Sequence, residues 1–488
     1  MKTGSQYAHR RRSTRGLFFV LLLAMLVFAP LIKGGNRPLP LLALELLALL
    51  TLVLVLWTPG RLHGVPRSLL VLAAAMVGLP FLYLVEIPFE WWAALPGREL
   101  YADGLSAAGV ESARAIALVP AHSLAAGLAV LPPIAAMLAV FALGERERRQ
   151  AVWVFVAMVC LQGLLGLLQA RLGLGSALVF GAGFHVSSGT YVNRNHFAGL
   201  LEMGLPILLG MSLVAFGSGH DYRRRGVVRI ITNNQALGLL LLTIVVLLAL
   251  VFSRSRAGVA LGMIGVLVSS VVFSRRIGGG GAAGWFGAIS LIAVSLAAVI
   301  GLVPVLQRFA VGDDVAETRW TMYSGALDGI LAMFPLGSGP GSFGEVFLQF
   351  QPTNLAQFVS HAHNGYLEWV FETGLAAVIL IVLGLFLYLL SWRRFFREPK
   401  WGRLHAMQVG AGIGLLLLML HELVDFNLRI PANALYFGFL AGVFFAPLAR
   451  QRSGSGRRAS AETPHSSEVG EMPPPITVID APNPFSDD

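Results

Sequence analysis

The strongest constraint on this chain is a succession of apolar runs, most of them close to 20 residues long and joined by short, mostly basic links. A bilayer core about 30 Å thick takes roughly 20 residues of helix. In hydrocarbon every backbone polar group has to be satisfied within the segment, so runs of this length read as spanning helices. They lie near 17–32, 38–57, 69–87, 123–143, 151–170, 197–216, 236–252, 258–274, 284–304, 366–390, 404–420 and 433–448. Only 13% of the residues are charged, against about 25% in soluble domains. The expected fold class is an all-α polytopic membrane protein with about 12 transmembrane helices. The runs at 236–252 and 258–274 are short and separated by Ser253-Arg254-Ser255-Arg256-Ala257. They read as a hairpin, because two arginines at the bilayer centre would cost several kcal/mol. Lys2, Arg10, Arg11, Arg12 and Arg15 precede the first run as in a signal peptide. No small-residue cleavage site follows, so an uncleaved first span is expected.

The net charge of +10 could suit a nucleic-acid partner, but the placement of the charges argues for membrane topology and against nucleic acid. With the N-terminus inside, 25 of the 36 Lys and Arg fall on the cytoplasmic side, as the positive-inside rule requires. Both termini are then cytoplasmic, and 88–122, 171–196 and 305–364 become long outer segments. Three regions follow: N-terminal helices over 1–150, a second transmembrane region over 151–448 containing the loop 305–364, and a tail over 449–488. The tail, rich in Ser, Pro and acidic residues, cannot build a core and is expected to be disordered. The single cysteine, Cys160, excludes an intrachain disulfide and a multi-cysteine metal site. Within 305–364, Trp320, Tyr323, Leu327, Ile330, Leu331 and Phe334 recur at helical spacing. They predict an amphipathic helix lying on the membrane surface or against the bundle. Pro335, Gly337, Gly339, Pro340 and Gly341 end it in a tight turn.

Because topology accounts for most basic residues, the outer-face ones are informative. Arg254 and Arg256 sit at a hairpin tip, Arg194 lies in Tyr191-Val192-Asn193-Arg194-Asn195-His196, and Arg319 begins the amphipathic helix. Arginine stays charged in a partly apolar site and binds phosphate oxygens in a bidentate manner, so a lipid-linked pyrophosphate is a natural partner. The competing reading for any single arginine is a snorkelling side chain or a pair with Glu202, Asp313, Asp314 or Glu317. His363, followed by Asn364, closes the long loop at the start of an apolar run. A helix N-terminus disfavours imidazolium, and a neutral imidazole can accept a proton. The alternative is a hydrogen-bonded interfacial histidine. His361, His363, His421, Glu422 and Asp425 also fall on the outer face, but they lack His-Glu-x-x-His spacing and any two-metal carboxylate cluster. Neither metal nor cofactor is expected. Glu45, Glu86 and Glu202 are scattered without a repeat between the chain halves, which argues against a transporter or flippase.

Taken together, these positions resemble the O-antigen ligase and O-antigen polymerase superfamily over about residues 150–448. His363-Asn364 with Gly374 ten positions beyond the Asn is similar to the ligase hallmark in the last large periplasmic loop. Thr318-Arg319-Trp320 through Gly337-Ser338-Gly339-Pro340-Gly341 looks like the start of the same domain. Asn193-Arg194-Asn195-His196-Phe197-Ala198-Gly199 and Ser253-Arg254-Ser255-Arg256-Ala257-Gly258 are similar to its upstream motifs. Asp425-Phe426-Asn427-Leu428 with Ile430-Pro431-Ala432-Asn433 resembles the segment before its last helix.

The resemblance implies an inverting, metal-independent glycosyltransferase at the periplasmic face of a bacterial inner membrane. Its donor would be a glycan linked to undecaprenyl diphosphate, and its acceptor a glycan or the lipid-A core. His363 would be the general base. Arg254 or Arg256, with Arg319, would hold the diphosphate, and Arg194, Asn193, Asn195 and Asn364 complete the implied substrate-binding set. A polymerase of O-antigen or exopolysaccharide repeat units shares donor and chemistry and is the nearest alternative.

Overall fold

The computed structural model describes residues 2–58, 62–173, 176, 178–179, 187–219, 227–274, 314–397 and 401–447. The expected span 284–304, the first residues of the loop 305–364 and the tail 449–488 lie outside them. The described helices are α1 (Lys2–Leu31), α2 (Pro38–Trp57), α3 (Arg67–Leu82), α4 (Phe89–Ala93), α5 (Glu99–Ala107), α6 (Pro120–Ala129), α7 (Leu131–Ala142), α8 (Glu145–Leu172) and α9 (Arg194–Gly219). They continue with α10 (Val227–Phe252), α11 (Arg256–Ser274), α12 (Asp314–Met333), α13 (Phe343–Val346), α14 (Gly365–Arg397), α15 (Arg403–His421) and α16 (Pro431–Phe445). A two-stranded antiparallel ribbon pairs β1 (Glu86–Ile87) with β2 (Arg114–Ala115).

Among the described residues eight helices, counting α6 and α7 as one, are long and apolar enough to cross a membrane, by length and composition. Residues 15–31, 67–82 and 431–445 form shorter apolar helices. The fold is therefore all-α and multi-pass. Two expected runs differ in detail. The run 69–87 stops being helical at Leu82 and turns into β1. The run 123–143 divides between α6 and α7, where Pro132 and Pro133 occupy the first helical positions, which need no intrahelical N–H.

Small residues let the central helices approach each other. Gly410 and Gly414 on α15 face α9, where an added Cβ would lie 2.7 Å from the Ile207 Cα and 2.6 Å from the Met203 carbonyl oxygen. Gly438 and Gly442 on α16 meet the Pro133 and Met137 carbonyls of α7 in the same manner. Both are small-xxx-small seams, the usual device where lipid offers no hydrophobic drive for helices to associate. α9 is consequently enclosed along its span.

The other seam fixes the loop that leads into α14. Gly374 breaks α14 with φ 53° and ψ −127°. A Cβ there would lie 2.0 Å from the Pro335 carbonyl oxygen, so only glycine fits. The Leu375 N–H donates to that same oxygen at 2.9 Å, and Gly339 N–H donates to the Glu372 carbonyl at 2.7 Å. The glycine turn 335–341 thus docks into the kink. The segment 83–122 covers this turn: Leu118 N–H donates to the Ser338 carbonyl at 2.9 Å. The wholly buried Arg98 donates to the carbonyls of Ile116 and Gly337. α12 buries Met322, Ala326 and Met333, packing against α14. Of its expected stripe, Trp320, Leu327, Leu331 and Phe334 face outward, so α12 has one face for the protein and another apolar face left exposed.

Candidate functional site

His363 precedes α14 in a left-handed conformation, φ 50°, which costs a non-glycine residue about 1–2 kcal/mol. Neighbouring bonds hold it there. The Tyr323 hydroxyl on α12 donates to the His363 carbonyl at 2.9 Å. Asn364 caps α14 by accepting from the Leu367 N–H at 3.0 Å. The Gly365 N–H donates to the carbonyls of Glu422 and Asp425, at 2.8 and 3.0 Å. The His363 side chain is one-third exposed, and its Nδ1 lies 3.5 Å from Oδ1 of the fully buried Asp425.

Asp425 is the hub. It accepts from the Asn195 side-chain amide and from the Phe426 N–H. His196 Nε2 lies 3.6 Å from the same Oδ1. Burial pushes the Asp425 carboxyl up, but its interactions with His196 and His363 outweigh it. The carboxyl is held well below its ordinary range. An ionised Asp425 facing Nδ1 favours the tautomer that leaves Nε2 of His363 free to accept a proton. A separation of 3.5 Å is long for a hydrogen bond, as such contacts often are before substrate closes a site. The Phe426 ring packs against His361, His363 and His196 together, stacked on the first and edge-on to the other two.

A second polar cluster supports the first from below. Glu368 and Glu372, one turn apart on α14, both pair with Arg429. Burial opposes the Arg429 charge, but Glu372 and Glu368 outweigh it and raise its pKa. Glu422 is buried beside them. Desolvation pushes its carboxyl up to about 8, against the pull of the Leu428 N–H at 2.7 Å.

The remaining sequence candidates gather at the same end. Asn193 caps α9 by accepting from the Asn195 N–H at 2.8 Å, and Asn195 binds Asp425. Arg194 is thereby set at the N-terminus of α9. Ser255 caps α11 by accepting from the Gly258 N–H. A Cβ on Gly258 would lie 2.5 Å from the Ala198 Cβ of α9, so the Arg254–Arg256 turn abuts the first turn of that helix. Arg254 is exposed with φ 55°, whereas Arg256 is half-buried. Arg319 stands one turn before Tyr323 and acts on it electrostatically. His421 does not join the His363 set but pairs with Glu202, Nδ1 to Oε1 3.1 Å, both fully buried. Among the described residues no three His, Cys, Asp or Glu side chains are arranged to hold a metal ion.

Sequence reasoning weighed Asp425 as a metal ligand and as part of a resembling motif, without pairing it to His363, and passed over Glu368, Glu372 and Arg429. The available signal was two carboxylates four residues apart in an otherwise apolar run, which are costly in a membrane unless they have a partner or a task.

An apolar cavity of about 820 Å³ opens beside Asn364. It is bounded by α3, α7, α12, α14, α15 and α16 and reaches Tyr388 and Phe445. Beyond the break at Gly374, the helix from Leu375 to Tyr388 rises about 20 Å at 1.5 Å per residue.

The fold and this site define a multi-pass helical membrane protein with a polar, partly open centre at one end of the bundle and an apolar cavity beside it. Residues 240–382 match the family model for O-antigen ligase, which places this part of the chain in the O-antigen ligase superfamily. The matched stretch takes in the Arg254–Arg256 turn, α12, His363 and Gly374. It implies a glycosyltransferase-like enzyme with ligase- or polymerase-like activity, using lipid-linked glycan and acceptor substrates. No curated protein matches the chain.

Proposed function

We propose that this protein transfers a glycan from undecaprenyl diphosphate to an acceptor hydroxyl at the periplasmic face of the inner membrane, as an O-antigen ligase does. The observation that carries this reading is the partly exposed His363, backed by the buried Asp425, next to Asn364, which lines an apolar cavity. The polyprenyl chain lies in the cavity, which places its diphosphate at the level of Asn364 and His363. Nε2 of His363 removes the proton from the acceptor hydroxyl. The oxygen attacks the anomeric carbon from the face opposite the diphosphate, the C–O bond to the diphosphate breaks, and its electron pair leaves with the lipid. The configuration inverts. Arg319, Arg194 and one of Arg254 and Arg256 neutralise the charge that develops on the leaving diphosphate, a task a divalent cation performs elsewhere. Asn193, Asn195 and Asn364 cap and orient the elements that carry these groups.

The test is a reconstituted transfer assay in EDTA, offering a lipid-A-core acceptor in one reaction and lipid-linked repeat units alone in another. Wild-type product with the core acceptor only is expected; product from repeat units alone would make the protein a polymerase. His363→Ala should lower kcat by about 10²–10⁴-fold, the usual worth of a positioned base, with unchanged thermal stability. Full activity of this variant would remove the general-base assignment, and loss of wild-type activity in EDTA would remove the metal-independent one.

A further inference from the structure

We infer that Glu368 is a positioning residue that holds His363 in its working geometry through the preceding peptide, with Arg429 fixing Glu368 in turn. The inference rests on the general-base reading of His363. The chain after His363 is anchored by backbone bonds from Gly365 to the turn 422–425. Before His363 the tie is made by a side chain: Oε2 of Glu368 accepts from the Ala362 N–H at 3.0 Å. Oε1 of Glu368 faces His361 Nδ1 at 3.1 Å and Arg429 Nε at 3.0 Å. Both oxygens of this 2%-exposed carboxylate are therefore engaged. His361 is in addition stacked on Phe426, with ring centroids 4.0 Å apart.

This arrangement explains how a histidine persists at positive φ. The residue is pinned on both sides, and a strained conformation survives only where its surroundings over-determine it. Glu368 touches neither the His363 ring nor the opening above it, so it acts on the proton transfer by location alone. Arg429 belongs to the same unit. Its Nη2 pairs with Glu372, whose other oxygen accepts from the Phe343 N–H at 3.4 Å beyond the glycine turn. One guanidinium thus joins the 361–363 segment, two turns of α14 and the start of α13, and it is the shared partner of two carboxylates whose burial would otherwise be more costly.

The experiment measures kcat and KM for the lipid-linked donor, per folded molecule, in wild type, His363→Ala, Glu368→Ala and Glu368→Gln. Glu368→Ala should lower kcat about 30–100-fold, the scale of an ångström-sized misplacement of a catalytic group, with donor KM within about twofold. Glu368→Gln offers one acceptor oxygen where the carboxylate offers two, so it should recover part of the kcat, not all of it. Should the alanine variant fail to fold, Glu368→Gln decides alone: wild-type kcat in this variant overturns the proposal. A rise in KM at unchanged kcat also overturns it. A merely structural role would reduce the folded fraction and leave kcat per folded molecule alone. If His363→Ala is itself fully active, the general-base reading has failed; if His363→Ala is inactive while Glu368 variants turn over normally, only the positioning inference has.

Discussion

Two of the histidine–carboxylate pairs at this end of the bundle differ in ways that bear on the proposed chemistry. His421 and Glu202 are 3.1 Å apart and wholly buried. One is the last residue of α15 and the other lies in regular helix in α9, so the pair bridges two elements that the glycine seam already packs together. His363 and Asp425 are 3.5 Å apart, and the histidine side chain is one-third exposed. Their backbone is irregular: a left-handed residue on one side, the 422–425 turn on the other. Pairing alone does not mark a reactive histidine. The second pair differs in having a ring that is one-third exposed, and its geometry is imposed by surrounding bonds instead of by helix.

The comparison breaks most visibly at the sealed pair. His421→Ala leaves Glu202 buried without its partner and should destabilise the protein by about 3–5 kcal/mol. The molecules that do fold should turn over at the wild-type rate. A thermal melt in detergent, paired with a transfer assay normalised to folded protein, checks both halves. A stable variant with impaired turnover would make His421 part of the chemistry. Asp425→Asn is the converse. It keeps the shape but presents an amide to Asn195, His196 and His363, and the preference for one His363 tautomer is lost. The expected effect is about 10²-fold on kcat, or about 2.7 kcal/mol of barrier, with donor KM unchanged. A loss confined to KM would place Asp425 in donor binding and dissolve the contrast between the pairs.

Much of this organisation is legible in the chain because hydropathy sets topology directly, and eleven of the twelve expected runs fall on described helices. The arginines were singled out for a related reason: a membrane protein collects cations on the cytoplasmic side, so those expected on the opposite face ask for an explanation. Gly374 was legible only as a spacing. Its φ of 53° and the 2.0 Å approach of Pro335 to its missing Cβ give the physical cause: it is the seat of the glycine turn. Asp425 could not be read as the partner of His363, because 62 positions separate them and local patterns do not reveal which turn meets which helix start. Glu368 and Glu372 lay inside the predicted run 366–390, where overall hydrophobicity concealed two carboxylates on one helical face. The apolar cavity belongs to no segment; six helices make it by packing.

A pH-dependent effect concerns Glu422, whose carboxyl interacts with those of Asp425 and Glu368 and with His421. In the folded protein its carboxyl titrates near 8, mainly through desolvation, with Asp425 and Glu368 adding to the rise and His421 opposing it. In the unfolded chain the ordinary glutamate value applies. Folding therefore favours the protonated form. The corresponding stability is complete below the unfolded pKa and is lost progressively as pH rises towards about 8, at about 1.4 kcal/mol per pH unit. Glu422→Gln retains an acceptor for the Leu428 N–H and cannot ionise. Its stability should exceed that of wild type increasingly from pH 6 to pH 8, and the gap should level off above that. Chemical or thermal unfolding of both proteins across this range provides the check. A gap that stays constant with pH would show that Glu422 is ionised in the fold, and the charge count around His363 would then have to include another buried anion.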